Sequence, residues 1–420
     1  MEGHLWSDEG CPSYHHVYTE EGNSEDSMRG KKIVFIMTLC SILLCTAGCG
    51  KADKAYNQAM KYAKEGKYDK AVDSFKEAIK ENGDKAEYFV DYGMTLNHLG
   101  KYKKAIKQFE KAYQNVDNKI SRQNNKRLHY GEALAYYGLH QYDKAKEQCN
   151  QALEIEDYKA LNGDIYATLA MSQFSSGDSL GALGVMDQML KENKKDVQGY
   201  VMRGQIKQSI GEYDSSANDF LEAISIDDKY YDAYFGCYET YMQAGQTDAA
   251  TETLNKLTSM HGSDAREKMQ IGRAYICLGR NDEAKEFLED SKKGKCVEAN
   301  FYLGKIEQSN GNYEQARNYY ETYLQECKAV VSLPQVYGEL AGCYIELKDY
   351  DKAERYLEQG LDMGVTQAYQ DLLRNQVILL ERMGKMEQAQ EKAKDYMKAY
   401  PQDSAMAKEA EFIATRVEKK

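Results

Sequence analysis

A six-residue unit, Gly66-Lys-Tyr68-Asp-Lys-Ala71, comes back at near-constant intervals down this chain. It recurs as Gly100-Lys-Tyr102-Lys-Lys-Ala105, Gly211-Glu-Tyr213-Asp-Ser-Ser216 and Gly311-Asn-Tyr313-Glu-Gln-Ala316. With the glycine or its substitute as marker, the series is Gly66, Gly100, His140, Gly177, Gly211, Gly245, Gly279, Gly311, Lys348 and Gly384. The steps are 34, 40, 37, 34, 34, 34, 32, 37 and 36 residues. A period of this length belongs to stacked supersecondary units, none of which can bury its apolar face alone. The chain is therefore expected to be a linear array whose core lies between neighbouring units.

Each register position has a physical task. Five residues past the marker stand Ala71, Ala105, Ala145, Ala182, Ser216, Ala250, Ala284, Ala316, Ala353 and Ala389. Small side chains there let two antiparallel helices approach closely. Seven residues before it stand Ala59, Gly93, Ala133, Ala170, Gly204, Gly272, Gly304 and Ala341, a set that Tyr238 and Val377 interrupt. Nine residues past it, Phe75, Phe109, Met186, Phe220, Leu254, Leu288, Tyr320 and Leu357 are large enough to fill the gap between neighbours. The glycine itself suits a turn whose backbone is left-handed or crowded.

With these positions in register, the chain resembles the tetratricopeptide repeat (TPR) family from about Lys51 to Lys420. The resemblance implies an all-α fold, a right-handed superhelical solenoid of about ten helix–turn–helix repeats. The family's closing proline occurs only at Pro401. The polar stretch Asn118–Lys126 in the 40-residue interval predicts a longer loop or a helix extension, and Pro334 predicts a helix start.

The chain carries 55 basic and 67 acidic residues, a net charge of −12. Such acidity argues against general nucleic-acid binding, which needs a basic stripe. The N-terminus divides into segments. Residues 1–27 are acidic and expected to be disordered, with translation starting instead at Met28. Residues 28–48 have the form of an export signal: Met28-Arg-Gly-Lys-Lys32, then an apolar run from Ile33 to Gly48. That run is short for a membrane-spanning helix, which takes about 20 residues. Its end, Thr46-Ala47-Gly48-Cys49, resembles a bacterial lipobox, with Thr46 where leucine is preferred. The resemblance implies acylation of Cys49 and a location on the extracytoplasmic face of a cell membrane. Residues 49–53 are then a tether and 54–420 the solenoid.

Beyond the leader, the cysteines are Cys49, Cys149, Cys237, Cys277, Cys296, Cys327 and Cys343, none in a C-x-x-C pair, so a metal site is not expected. Cys149 falls on the large-apolar position and should be a core thiol. Cys296 and Cys327 are the candidates for pairing. No H-E-x-x-H, G-x-S-x-G or P-loop pattern occurs. We expect no catalytic residues and no cofactor.

Tyrosine is abundant, 35 of 420 residues. Tyr68, Tyr102, Tyr142, Tyr213, Tyr313 and Tyr350 belong to the packing register. A second series, ten residues before each marker, reads Tyr56, Val90, Tyr130, Ala167, Val201, Phe235, Met269, Phe301, Gly338 and Arg374. In the family this position faces the concave groove. The expected partner-binding set is Tyr56, Val90, Tyr130, Val201, Phe235, Met269 and Phe301, with Asn97, Gln205, Arg273 and Lys305 as polar neighbours. Gln208, Glu239 and Gln308 would line the same surface. The opposing reading is that the apolar members pack against the next repeat. Apolar Tyr56, Met60, Val90 and Met94 do not fit the Lys/Asn/Arg grid with which some TPR proteins clamp a terminal carboxylate. The resulting expectation is a non-catalytic, membrane-tethered scaffold binding an unidentified protein or peptide. Alternatives are an envelope or secretion assembly factor of pilotin type, or a glycan or small-ligand module. Whether it oligomerises is open; the apolar run Val377–Leu380 would serve either self-association or burial in the last repeat.

Overall fold

The computed structural model describes residues 50–114, 118–327, 333–363 and 368–417. The acidic leader, the signal segment and Cys49 lie outside the described residues. Every regular element among the described residues is helical. They fall into two units, Glu21–Ala244 and Gly245–Lys420.

In the first unit, α1 (Lys51–Lys64) pairs with α2 (Tyr68–Glu81), and α3 (Ala86–His98) with α4 (Tyr102–Ala112). Next come α5 (Lys119–Gly138) with α6 (Tyr142–Glu154), α7 (Asn162–Ser175) with α8 (Ser179–Glu192), and α9 (Val197–Ser209) with α10 (Tyr213–Ile226). Then follows α11 (Tyr231–Gln243). The second unit opens with α12 (Thr247–Thr258). Its hairpins are α13 (Ala265–Cys277) with α14 (Asn281–Lys293), α15 (Glu298–Ser309) with α16 (Tyr313–Glu326), α17 (Leu333–Glu346) with α18 (Tyr350–Asp362), and α19 (Tyr369–Arg382) with α20 (Met386–Ala399). The terminal helix is α21 (Ser404–Val417). Odd-numbered helices thus open the repeats and even-numbered ones close them.

The register explains the hairpins. All ten small residues five past the marker are fully buried. Where serine replaces alanine, the Ser216 hydroxyl donates to the Gly204 carbonyl oxygen at 2.7 Å, so the close approach stays satisfied. A Cβ added to Gly93 would stand 2.4 Å from the Phe109 ring, and one on Gly131 equally close to it. Phe109 is therefore held between a glycine of its own hairpin and one of the next. Phe220 likewise lies between Gly236, where an added Cβ would come within 2.4 Å, and Gly204, where it would come within 3.2 Å. Burying one such ring stabilises by about 1.5–3 kcal/mol. At the turns, every marker glycine has positive φ, and His140 (57°) and Lys348 (60°) adopt the same left-handed backbone without being glycine.

Local departures have local causes. The stretch Asn118–Lys126 extends a helix: Asn118 caps α5, its Oδ1 accepting from the Ser121 amide at 2.9 Å. The ammonium of fully buried Lys126 donates to the Ile155 carbonyl oxygen at 2.8 Å and to Asn162 Oδ1 at 2.6 Å. The expected tether to Asp53 is instead helix from Lys51. Ala52 and Ala55 are buried beside Ala78 and Tyr88, and Asp53 accepts from Tyr88 at 2.5 Å and from Lys85. Val377, Leu379 and Leu380 are buried, Val377 and Leu380 in one cluster with Met406 and Ile413 of α21, so this run closes the array's last core. Cys149, Cys237 and Cys343 are buried thiols. No disulfide joins Cys296 to Cys327, which corrects the expected pairing; Cys296 Sγ donates instead to Glu298.

Candidate functional site

Among the described residues, most odd-numbered helices of consecutive hairpins within a unit lie against one another, and even-numbered helices make no comparable contacts. Elements that converge on one side set the inside of a curve, so the first helices form the inner side of each unit. A partner running along that side meets one helix per repeat.

The apolar positions expected there are mostly closed. Val90, Tyr130, Val201, Phe235 and Met269 are buried. Val90 sits in the cluster holding Phe75, Phe89 and Phe109, and Tyr130 packs with Ala133, Cys149 and Ile165. Val201 packs with Ala217 and Phe220, and Met269 with Leu288 and Leu303. These side chains fill the joints between helices, as the packing reading of the apolar row expected. Tyr56 and Phe301 are half-buried. Phe301 leans on Tyr320 and Tyr323, ring centroids 5.8 and 5.9 Å apart.

The polar neighbours remain accessible. Gln205, Arg273 and Lys305 are half-exposed and Glu239 is exposed, each six residues before its marker. Lys305 Nζ lies 3.4 Å from Glu339 of the next first helix and 5.6 Å from the centroid of the Phe301 ring. Half-buried Asn97 donates from Nδ2 to the Gly131 carbonyl oxygen at 2.8 Å, joining α3 to α5. Its Oδ1 is buried and accepts no hydrogen bond among the described residues. Gln308 accepts from the Tyr320 hydroxyl at 2.7 Å.

A further polar constellation was missed in the sequence. Tyr56 donates to Asp91 Oδ2 at 2.6 Å, and the Arg127 guanidinium donates to Oδ1 of the same carboxylate. The three residues come from α1, α3 and α5. Asp91 is almost fully buried, its side chain 2% exposed. Burial, reinforced by the Asp91 charge, holds the Tyr56 phenol far above its ordinary range. The available signal was spacing: 35 and 36 residues separate these polar residues on first helices. In the other unit, Asn375 donates to the Gly338 carbonyl oxygen at 2.9 Å, and Arg374 pairs with Asp403 at 2.5 Å. Polar bonds thus join consecutive first helices in both units, at positions that differ from one repeat to the next. No group of three or more His, Cys, Asp or Glu among the described residues could hold a metal ion.

Three family models described as tetratricopeptide repeat match the chain: one over residues 56–120, one over 197–230 and 268–293, and one over 297–364. No curated protein matches it in sequence. Among solved structures it is similar to the APC/C heterotetramer Cut9–Hcn1, at 15% identity over 86% of this chain and 76% of that one, TM-score 0.44. A tetratricopeptide repeat protein from Parabacteroides merdae matches at 15% identity over 65% of this chain and 99% of its own, TM-score 0.41. YrrB, described as a TPR protein with an unusual peptide-binding site, matches at 22% identity over 44% of this chain and 91% of its own, TM-score 0.34.

Proposed function

We propose, on the premise that this chain is a tetratricopeptide repeat protein, that it is a membrane-tethered scaffold. Its first-helix side takes up an extended segment of a partner protein. The observation that carries this reading is the contrast between two registers on the same helices. Ten residues before the marker the side chains are mostly closed into the core; six before it, Gln205 and Glu239 in the first unit and Arg273 and Lys305 in the second stand accessible, four different residues in four repeats. Within each unit, such a pair of accessible polar residues on consecutive first helices suits the polar side chains and backbone of an extended peptide. Core residues fix the frame, and the variable polar row selects the occupant. The tether is acylated Cys49, supported by the sequence Thr46-Ala47-Gly48-Cys49 after a basic and apolar segment. Its role is to hold the scaffold and its partner at the membrane, without chemistry of its own.

Photo-crosslinking in cells tests the proposal. A benzophenone amino acid at position 205 or 305 should capture a partner protein. The same probe at exposed Lys76 or Glu252 on second helices should not. Equal capture from all four positions would contradict the proposal.

A further inference from the structure

The outer face of α1 is cationic in an acidic chain. Lys51, Lys54, Lys61 and Lys64 are all exposed, and Asp53 is the helix's single acid. That acid is already occupied by Lys85 and Tyr88. None of the four lysines enters an ion pair among the described residues. The first helix of an array needs a polar outer face for solubility, but solubility does not choose a sign. Nor does the helix choose it. Lys61 and Lys64 in the last turn suit the macrodipole, whereas Lys51 and Lys54 stand in the first turn, where positive charge is unfavourable. Their position in the chain supplies a reason. Only Gly50 separates Cys49 from Lys51, so the helix starts within about 7 Å of that cysteine, at roughly 3.5 Å per residue. That is inside the Debye length of about 10 Å at 0.1 M salt.

We infer that this lysine face lies on the anionic phospholipid headgroups of the membrane carrying the anchor, fixing the first hairpin against the bilayer. The inference rests on the tether proposed above and adds an orientation to it. A lipid alone leaves a protein free to swivel about its attachment. A basic face beside the lipid provides a second, salt-sensitive contact and defines which end of the array is next to the membrane.

The test uses the full chain, isolated from membranes of expressing cells and placed in vesicles. One set is phosphatidylcholine alone; the other holds roughly a third phosphatidylglycerol. Lysine acylation is followed by mass spectrometry, with exposed Lys392 and Lys394 as internal references. The expected result is several-fold slower labelling of Lys51, Lys54, Lys61 and Lys64 on anionic vesicles only. The difference should vanish at about 0.5 M sodium chloride, where screening is strong. The variant with all four changed to glutamine should float with vesicles as before, yet lose salt-sensitive protection of the α1 backbone in hydrogen exchange. Equal labelling on both vesicle types, with the chain still vesicle-bound, would overturn this inference and leave the tether standing. A chain that does not float with either vesicle would overturn the tether and the inference together.

Discussion

The Tyr56 hydroxyl donates to Asp91 at 2.6 Å, joining helices that begin 35 residues apart in sequence, and Arg127 of a third helix completes the site. Removing one partner of a buried ion pair leaves the other charge without compensation. Arg127→Ala is therefore expected to destabilise the first unit by about 3–5 kcal/mol. Tyr56→Phe deletes one hydrogen bond to a charged group and should cost about 1.5–3 kcal/mol. Urea unfolding followed by hydrogen exchange in α1, α3 and α5 measures both.

Gly93 and Phe109 share one volume. The 2.4 Å approach of an added Cβ means that Gly93→Ala displaces a buried ring with little room to move. The expected cost is about 1–3 kcal/mol, the usual range for overpacking. Combining it with Phe109→Leu should recover part of the loss, and thermal melts of the single and double variants show whether the two changes are coupled.

Lys348 stands in a turn that glycine occupies in most other repeats, at φ 60°. A side chain in that backbone region costs roughly 1 kcal/mol relative to glycine. Lys348→Gly is expected to raise the melting temperature of the second unit, whereas Gly279→Ala, at φ 71°, should lower it.

Burial, with Asp196 nearby, pushes the Asp164 carboxyl from the ordinary 3.8 up to about 7. A carboxyl with a raised folded-state value binds its proton more tightly folded than unfolded. Its contribution to stability is therefore present below pH 4 and is lost as pH rises towards 7. Asp164→Asn should leave stability at pH 4 nearly unchanged. At pH 8 it should stabilise by about 1–2 kcal/mol, discounted for the residue's partial exposure to water. Urea midpoints across that range give the profile.

What the sequence discloses follows the range of the interactions. Hairpin packing repeats every period, so Ala71, Phe75 and Gly66 recur often enough to be recognised, and the helical architecture follows. The exposure of Val90 or Met269 depends on how far each hairpin turns relative to the next. One period cannot encode that rotation, and the apolar row proved to be core. The Asp91 site is hidden for a related reason: its three members occupy different register positions on their helices, so no repeated column marks them. The start of α1 at Lys51 depends on Ala52 and Ala55 meeting Ala78 and Tyr88, a contact invisible to charge patterning. The accessibility of Gln205, Arg273 and Lys305 was easier to foresee, because polar side chains at a first-helix position outside the packing register have no core to enter.

The most direct measurement is the affinity of the crosslinked partner for the full chain carrying Gln205→Ala, Arg273→Ala and Lys305→Ala together. Binding is expected to weaken by about tenfold or more, equivalent to roughly 1.4 kcal/mol, with the melting temperature unchanged because none of the three side chains is buried. Binding at wild-type affinity by this folded variant would contradict the assignment of recognition to the polar row.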